Sequence, residues 1–357
     1  MPDQQTTIPK GSWVLVTGAT GYVATQVARQ FLERGYKVRG TVRDLSKASW
    51  LVNDVFEPYA DNGDFELVLV RDLAADNAFA EAVKGVSAIA HVASVVTFSS
   101  DPSEVIPQTV RGTISIMEAA MTEPSVKEFV YTSSIVAATM AIPGNNTHVD
   151  RDTYNEMAIQ LAWAPERIGS PGQGGVVYSA SKAEAEKAVF RFVEEKKPHF
   201  TVNSVGPSTI IGEPMHRSQL ESAGAWLKML YDGKKELLAD TQAIWSVDVK
   251  DAALLHAAAV LDPEVKNARV QAWAVACNWN DILAIMRRQC PERKFIDDLP
   301  GQSQLTITTD FSQPLALLKK WGGQEGWRTL EETVADNMRK IAAWDPECDP
   351  CGTGWMP

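Results

Sequence analysis

Short apolar runs alternate with amphipathic stretches through most of the chain. Trp13-Val14-Leu15-Val16-Thr17 is a β-rich run that stops at a glycine turn, after which Val23, Val27, Phe31 and Leu32 recur at helical spacing. Gly35 closes that helix, and Lys37 to Val42 reads as the next strand, completing a βαβ unit. The alternation continues with a strand at Phe65 to Val70, a helix at Asn77 to Val83 and a strand at Ala88 to Ala93. A helix then runs to Ala120, with Pro107 tolerable only in its first turn. Glu128 to Thr132 is a strand, Ser179 to Glu195 a helix and Phe200 to Val205 a strand. Elements of these lengths in this order predict an α/β fold, a Rossmann-type doubly wound parallel sheet with both faces covered.

Two stretches break the pattern. Ile142 to Gly175 is rich in Gly, Pro, Asn and Asp and reads as a long excursion with one helix near Tyr154 to Trp163. Irregular connections of that length in compact domains are often functional. After Gly206-Pro207 the pieces shorten, which marks a smaller C-terminal lobe suited to substrate contacts. The expected organisation is a mainly dinucleotide-binding domain over 11–205, a mainly substrate-binding lobe over 206–345 with some segments returning to the first domain, and a tail over 346–357. No internal repeat or low-complexity segment interrupts this plan.

Composition narrows the function classes. The 357 residues are 45% hydrophobic and 22% charged, enough apolar content for a substantial core. A net charge of −11 without any basic run argues against nucleic-acid or anionic-membrane partners, although a local basic pocket for one phosphate is compatible with it. Met1 to Lys10 is polar, so no secretory signal is expected, and the apolar runs are too short to span a membrane. The four cysteines, Cys277, Cys290, Cys348 and Cys351, are too few and irregular for a disulfide framework, which favours a cytoplasmic setting. Cys348 and Cys351 form a C-x-x-C without a second ligand pair, so no metal is expected. Asn145-Asn146-Thr147 is discounted as a glycosylation site on the same reasoning about compartment.

The glycine turn Gly18-Ala19-Thr20-Gly21-Tyr22-Val23-Ala24 follows the first strand directly. There a helix N-terminus can aim its free N–H groups at a pyrophosphate, and bare glycines let the backbone come close. Ala24 is small enough for helix-on-strand packing. The second strand ends Thr41-Val42-Arg43-Asp44, with no acid at Val42 where NAD sites place one against the ribose. Arg43 can grip a phosphate bidentately, which favours NADP(H), and Lys47 adds charge. The competing reading pairs an exposed Arg43 with Asp44. Asp72 and Leu73, after the third strand, are placed to meet adenine.

A second constellation carries proton chemistry. Tyr178-Ser179-Ala180-Ser181-Lys182 puts an ammonium one helical turn from a phenol, on the same face, where it can pull the phenol's pKa toward the working range. Ser134, at the strand end Tyr131-Thr132-Ser133-Ser134, offers a hydroxyl to a substrate carbonyl. His91 lies inside an apolar strand and reads as structural.

Together these segments resemble the extended short-chain dehydrogenase/reductases, more narrowly the fungal NADPH-dependent carbonyl (aldehyde) reductases and plant dihydroflavonol reductases. The likeness runs from Trp13 to about Asn337. It also takes in Gly35 to Arg43, His91 to Val96, Pro198-His199-Phe200 and, less specifically, Gly326-Trp327-Arg328 before Glu331-Glu332. It implies Ser134, Tyr178 and Lys182 as the catalytic set, with Ser133 the less favoured serine. The expected cofactor contacts are Gly18, Thr20, Gly21, Tyr22, Val23, Arg43, Lys47, Asp72, Leu73, Ala93, Ser94, Tyr178, Lys182, Pro207 and Ser208. One departure is Thr109 before Val110-Arg111-Gly112-Thr113, where many members have asparagine, so a proton relay through that position is not carried over.

The implied reaction is reduction of a ketone or aldehyde by NADPH, with Tyr178 as general acid. Val95, Phe98, Ser134 and Trp226 are the expected substrate contacts, and each apolar one has ordinary core packing as its competing reading. A nucleotide-sugar epimerase or dehydratase is the alternative on the same fold. Ile135 to Met140 lacks the acidic or Val-Tyr-Gly residues such enzymes resemble one another in. A non-catalytic NADP sensor is the other alternative, and it has no need of the phenol. The expected partner is a small apolar or aromatic carbonyl compound, and the expected assembly is a monomer or homodimer.

Overall fold

The computed structural model describes residues 5–94, 99–221, 224–235, 238 and 241–344. Val95, Val96, Phe98 and the tail with Cys348 and Cys351 lie outside the described residues. The chain opens with β1 (Trp13–Val16), α1 (Tyr22–Leu32), β2 (Lys37–Val42), α2 (Glu57–Asp61), β3 (Phe65–Leu69) and β4 (Ala88–His91). It continues through α3 (Pro102–Met121), β5 (Glu128–Thr132), α4 (Ile135–Ala138), β6 (His148–Val149), α5 (Glu156–Ala162), α6 (Gln173–Lys196) and β7 (Thr201–Pro207). The C-terminal part comprises β8 (Thr209–Ile211), α7 (Trp226–Tyr231), β9 (Ile244–Asp248), α8 (Val249–Leu261), β10 (Arg269–Ala272), β11 (Val275–Cys277) and α9 (Trp279–Gln289). It ends in β12 (Thr308–Thr309), α10 (Ser312–Gly322) and α11 (Leu330–Trp344).

Seven strands form one sheet in the order β10-β7-β5-β4-β1-β2-β3, and every pairing in it is parallel. Helices cover both faces, as β5 requires, since all its residues are buried. One core packs α1, α8 and α10 on the sheet through Val27, Phe31, Leu255 and Leu318. The opposite core packs α3 and α6 through Ile116, Met117, Val189 and Phe192. Strand order reverses between β1 and β4, so the crevice at their C-terminal ends is where such sheets bind ligands.

Residues beyond 206 serve both parts of the molecule. Strand β10 extends the main sheet beside β7, and α8 packs across β4, β5 and β7. A second sheet, β11-β9-β8, gathers α7, α9 and α11 around Leu227, Trp279, Ile282 and Met338. The excursion is tied down by a parallel pairing of β6 with β12 and by α5 packing on α6.

Three element expectations change. Residues 77–83 form turns, because most bonds there run to the third residue back, as from Ala80 to Asn77, and Asn77 has a left-handed φ of 55°. The helix with Pro107 starts earlier than that proline implies, capped by Asp101 with Pro102 in its first turn, so Pro107 sits inside it. Helix α6 also starts earlier, at Gln173, which places Tyr178 within the helix. Cys277 is a buried free thiol and Cys290 is disulfide-bonded.

Burial at the start of β5 raises the Glu128 carboxyl from 4.5 to about 8. A carboxyl with a raised folded-state pKa favours folding below its ordinary value and loses that advantage as pH rises through the raised one. Glu128→Gln is therefore expected to raise the melting temperature at about pH 9 by more than at about pH 5, with about 2–4 °C per kcal/mol as the scale. Equal shifts at both pH values, measured by thermal melts, would contradict this.

Candidate active site

The glycine turn is built by close approach. Gly18 has φ of 68°, its N–H donates to Thr41 Oγ1 at 2.9 Å, and a Cβ there would lie 3.0 Å from the Ala93 Cβ. The turns after β1 and β4 thus meet at the reversal of strand order. Thr17 Oγ1 fastens them, accepting from the Ala93 N–H at 2.9 Å and sharing a 3.0 Å hydrogen bond with His91 Nδ1. A Cβ on Gly21, the N-cap of α1, would lie 3.1 Å from the Gly18 carbonyl. Bare backbone and the N-terminus of α1 therefore face the crevice, a donor set that fits a dinucleotide pyrophosphate.

The other expected cofactor residues lie around this crevice in unequal ways. Thr20, Val23, Ala93 and Ser94 are half-buried beside the turn. Tyr22 is 2% exposed, and its hydroxyl donates to the Gly212 carbonyl, so its side chain anchors α1 to the segment after β8 rather than facing the crevice. Arg43 and Lys47 are exposed past the end of β2. Asp44 turns onto the Ser46 hydroxyl and the Ser46 and Lys47 N–H groups, not onto Arg43. Asp72 is exposed and accepts from the Ala74 N–H, while Leu73 packs against Gly112 of α3. Pro207 ends β7 and Ser208 follows it, both buried beside Ala272 of β10.

At the C-terminal end of β5 the two serines divide. Ser133 is buried, whereas Ser134 is half-buried, caps α4 and hydrogen-bonds Tyr178. Burial raises the Tyr178 hydroxyl above its ordinary 10.0, and the Ser134 hydrogen bond opposes the rise. This departs from the expected lowering by Lys182. The Lys182 ammonium is instead directed at the Thr132 carbonyl, to which it donates at 2.9 Å, and lies 5.2 Å from the centre of the Tyr131 ring. Burial lowers Lys182 from 10.5 to about 8, with Glu186 opposing the shift.

Glu186 lies one turn after Lys182 on α6 and is itself locked in place. Ser204 donates to one of its oxygens at 2.7 Å and Arg269 pairs with the other at 2.7 Å. Arg269 also donates to the Arg151 and Thr153 carbonyls and stacks 4.1 Å from the Tyr154 ring, fastening the excursion to the strand edge. The spacing from Lys182 makes Glu186 findable in the sequence, but its partners come from distant strands. Gln219 had no local signal: it reaches back to the Thr20 carbonyl and the Thr25 hydroxyl, bridging the lobe to the glycine turn. His91, neutral because burial drives it to about 3, is structural as expected.

Among the expected substrate contacts, Trp226 stacks on Trp279 at 5.8 Å and joins the lobe's core. Ile135, Ala137 and Ala138 of α4 are buried, and α4 packs near Trp273 and Ile307. No described helix is long and apolar enough to cross a membrane.

A reversed parallel sheet with a tyrosine, a lysine and a serine gathered at its C-terminal edge defines a short-chain dehydrogenase/reductase type of Rossmann protein. The chain belongs to the NAD dependent epimerase/dehydratase family, whose model matches residues 14–270. It is 39% identical to aldehyde reductase 2 of Sporidiobolus salmonicolor over 333 residues, covering 92% of this chain and 96% of the relative. It is 33% identical to a ketoreductase of Aspergillus novofumigatus, covering 94% and 98%. Its fold matches Candida albicans Gre2, solved in complex with NADPH, at a TM-score of 0.79 and 24% identity, covering 93% and 99%.

Gly18→Ala is expected to lower stability by about 1–2 kcal/mol from its left-handed backbone alone. The added methyl also presses on Ala93 and narrows the crevice. Dinucleotide binding, followed by quenching of protein fluorescence, should weaken by about tenfold. Unaltered binding in a folded variant would remove the turn from the site.

Proposed function

We propose that this chain moves hydride from NADPH to the carbonyl carbon of a small apolar or aromatic ketone or aldehyde, with Tyr178 as the acid. The single observation that carries the reading is the Tyr178 hydroxyl hydrogen-bonded to Ser134 beside a buried Lys182, at the strand ends where the glycine turn opens. Relatives named aldehyde reductase and ketoreductase, and a 29% identical relative named as an NADPH-dependent methylglyoxal reductase, support it.

NADPH, when bound, supplies the hydride, and the chain's own groups do the rest. A carbonyl oxygen placed between Ser134 and Tyr178 accepts a hydrogen bond from each, which stabilises the negative charge that builds there. Tyr178 then gives its proton to the alkoxide, forming the O–H bond of the alcohol, and solvent returns a proton to the phenolate. A raised pKa suits that role, because the hydroxyl is protonated at neutral pH and ready to donate. Lys182 stays positive below about pH 8 and favours the transient phenolate. Gly18, Gly21 and the N-terminus of α1 hold the pyrophosphate, and Arg43 and Lys47 take the 2′-phosphate.

The apolar helix α4 after Ser134 supports reduction over epimerisation or dehydration, since it places no carboxylate beside the hydroxyls. One relative, 38% identical, carries the broader name NAD-dependent epimerase/dehydratase.

Tyr178→Phe is expected to cut NADPH oxidation with an activated ketone or aldehyde by at least about 100-fold. Unchanged turnover would reject Tyr178 as the acid. Arg43→Ala is expected to raise KM for NADPH far more than KM for NADH, and equal effects on the two would reject the phosphate assignment.

A further inference from the structure

Lys182 reaches a backbone carbonyl whose own residue is held from the far side of the sheet. Thr132 ends β5, its carbonyl accepts from Lys182 Nζ at 2.9 Å, and its hydroxyl lies 2.8 Å from His256 Nε2. His256 sits on α8, across the sheet from α6, and is fully buried. Its Nδ1 lies 2.7 Å from the Ala252 carbonyl, which can only accept. That assigns the ring proton to Nδ1, leaves Nε2 as an acceptor and makes the Thr132 hydroxyl the donor.

We propose that His256 is a positioning residue for Lys182: through Thr132 it fixes the strand end whose carbonyl holds the ammonium. The link runs helix, imidazole, hydroxyl, backbone carbonyl, ammonium, and it passes from one face of the sheet to the other. A threonine hydroxyl facing only apolar packing would turn to other acceptors and leave the end of β5 free to shift. The imidazole must remain neutral to accept, and burial together with the Lys182 charge drives it down to about 4. The ionisable groups around Lys182 are Tyr178 and Glu186 on α6, Tyr131 on β5, His91 on β4 and His256 on α8.

This rests on the assignment of Lys182 and Tyr178 under Proposed function, so the experiment separates the two. NADPH oxidation is measured from about pH 6 to 10 for His256→Phe, His256→Gln, Thr132→Val, Thr132→Ser, Tyr178→Phe and Lys182→Met, with thermal melts for each. His256→Phe and Thr132→Val remove the same hydrogen bond from opposite ends; Thr132→Val does so at nearly constant volume, whereas His256→Phe also gives up the bond to Ala252. Each is expected to lower kcat by about tenfold or more, the scale of a small misplacement, and to move the alkaline limb to lower pH. His256→Gln and Thr132→Ser keep an acceptor and a donor and should restore both kcat and the limb to within about threefold of the parent. Unchanged kcat and limb in folded His256→Phe or Thr132→Val would overturn the proposal, as would lost stability with an unmoved limb. Should His256→Phe fail to fold, Thr132→Val carries the test alone. Full activity in Tyr178→Phe and Lys182→Met would overturn the catalytic reading and this inference with it, whereas inactivity there with insensitive His256 and Thr132 variants overturns this inference only.

Discussion

The structure depends on keeping one ammonium charged inside the protein. Lys182 is 4% exposed, and an unpaired buried charge costs several kcal/mol, so its surroundings must be built to accept it. The Thr132 carbonyl accepts directly, Glu186 supplies the opposite charge and the Tyr131 ring presents its π face. Each of these needs its own support. Glu186 is held by Ser204 and Arg269, and Thr132 by His256. Strands β5, β7 and β10 and helices α6 and α8 are therefore joined by polar bonds around Lys182.

A second constraint is steric. The turns after β1 and β4 come together at Gly18 and Ala93, so closely that a Cβ on Gly18 would lie 3.0 Å from the Ala93 Cβ. Thr17 ties them, and the segment around Gln219 closes back over the turn from the C-terminal lobe. The polar cluster and the bare-backbone crevice share the same sheet edge, the arrangement that the proposed transfer of hydride and proton to one carbonyl group requires.

Much of this was legible in the sequence where structure is local. Strands β2 and β5 match their expected bounds, because short β-branched runs between turn residues admit one reading. The Tyr178–Lys182 spacing and the glycine turn were equally direct. What failed was also local in cause: residues 77–83 show apolar spacing, but Asn77 adopts a left-handed conformation that breaks a helix. The hidden part is tertiary. Nothing near His256 or Gln219 in the chain signals Thr132 or Thr20, since those partners are brought together only by the sheet. The partner of the Tyr22 hydroxyl, the Gly212 carbonyl, is hidden for the same reason. Tyr178 stands above its ordinary range because it is buried, which the spacing to Lys182 does not reveal, and the Lys182 ammonium goes to a backbone carbonyl that a sequence does not show.

The central claim is that hydride and proton are delivered to the two ends of one carbonyl bond. Its most direct measurement is single-turnover reduction of a ketone by NADPH deuterated at the nicotinamide C4, with the alcohol read by mass spectrometry and NMR. Using each of the two C4 diastereomers in turn, the account predicts that one of them delivers a single deuterium to the carbinol carbon, with stoichiometric cofactor oxidation. Cofactor oxidation without deuterium on that carbon from either diastereomer, or product formation without cofactor oxidation, would contradict it.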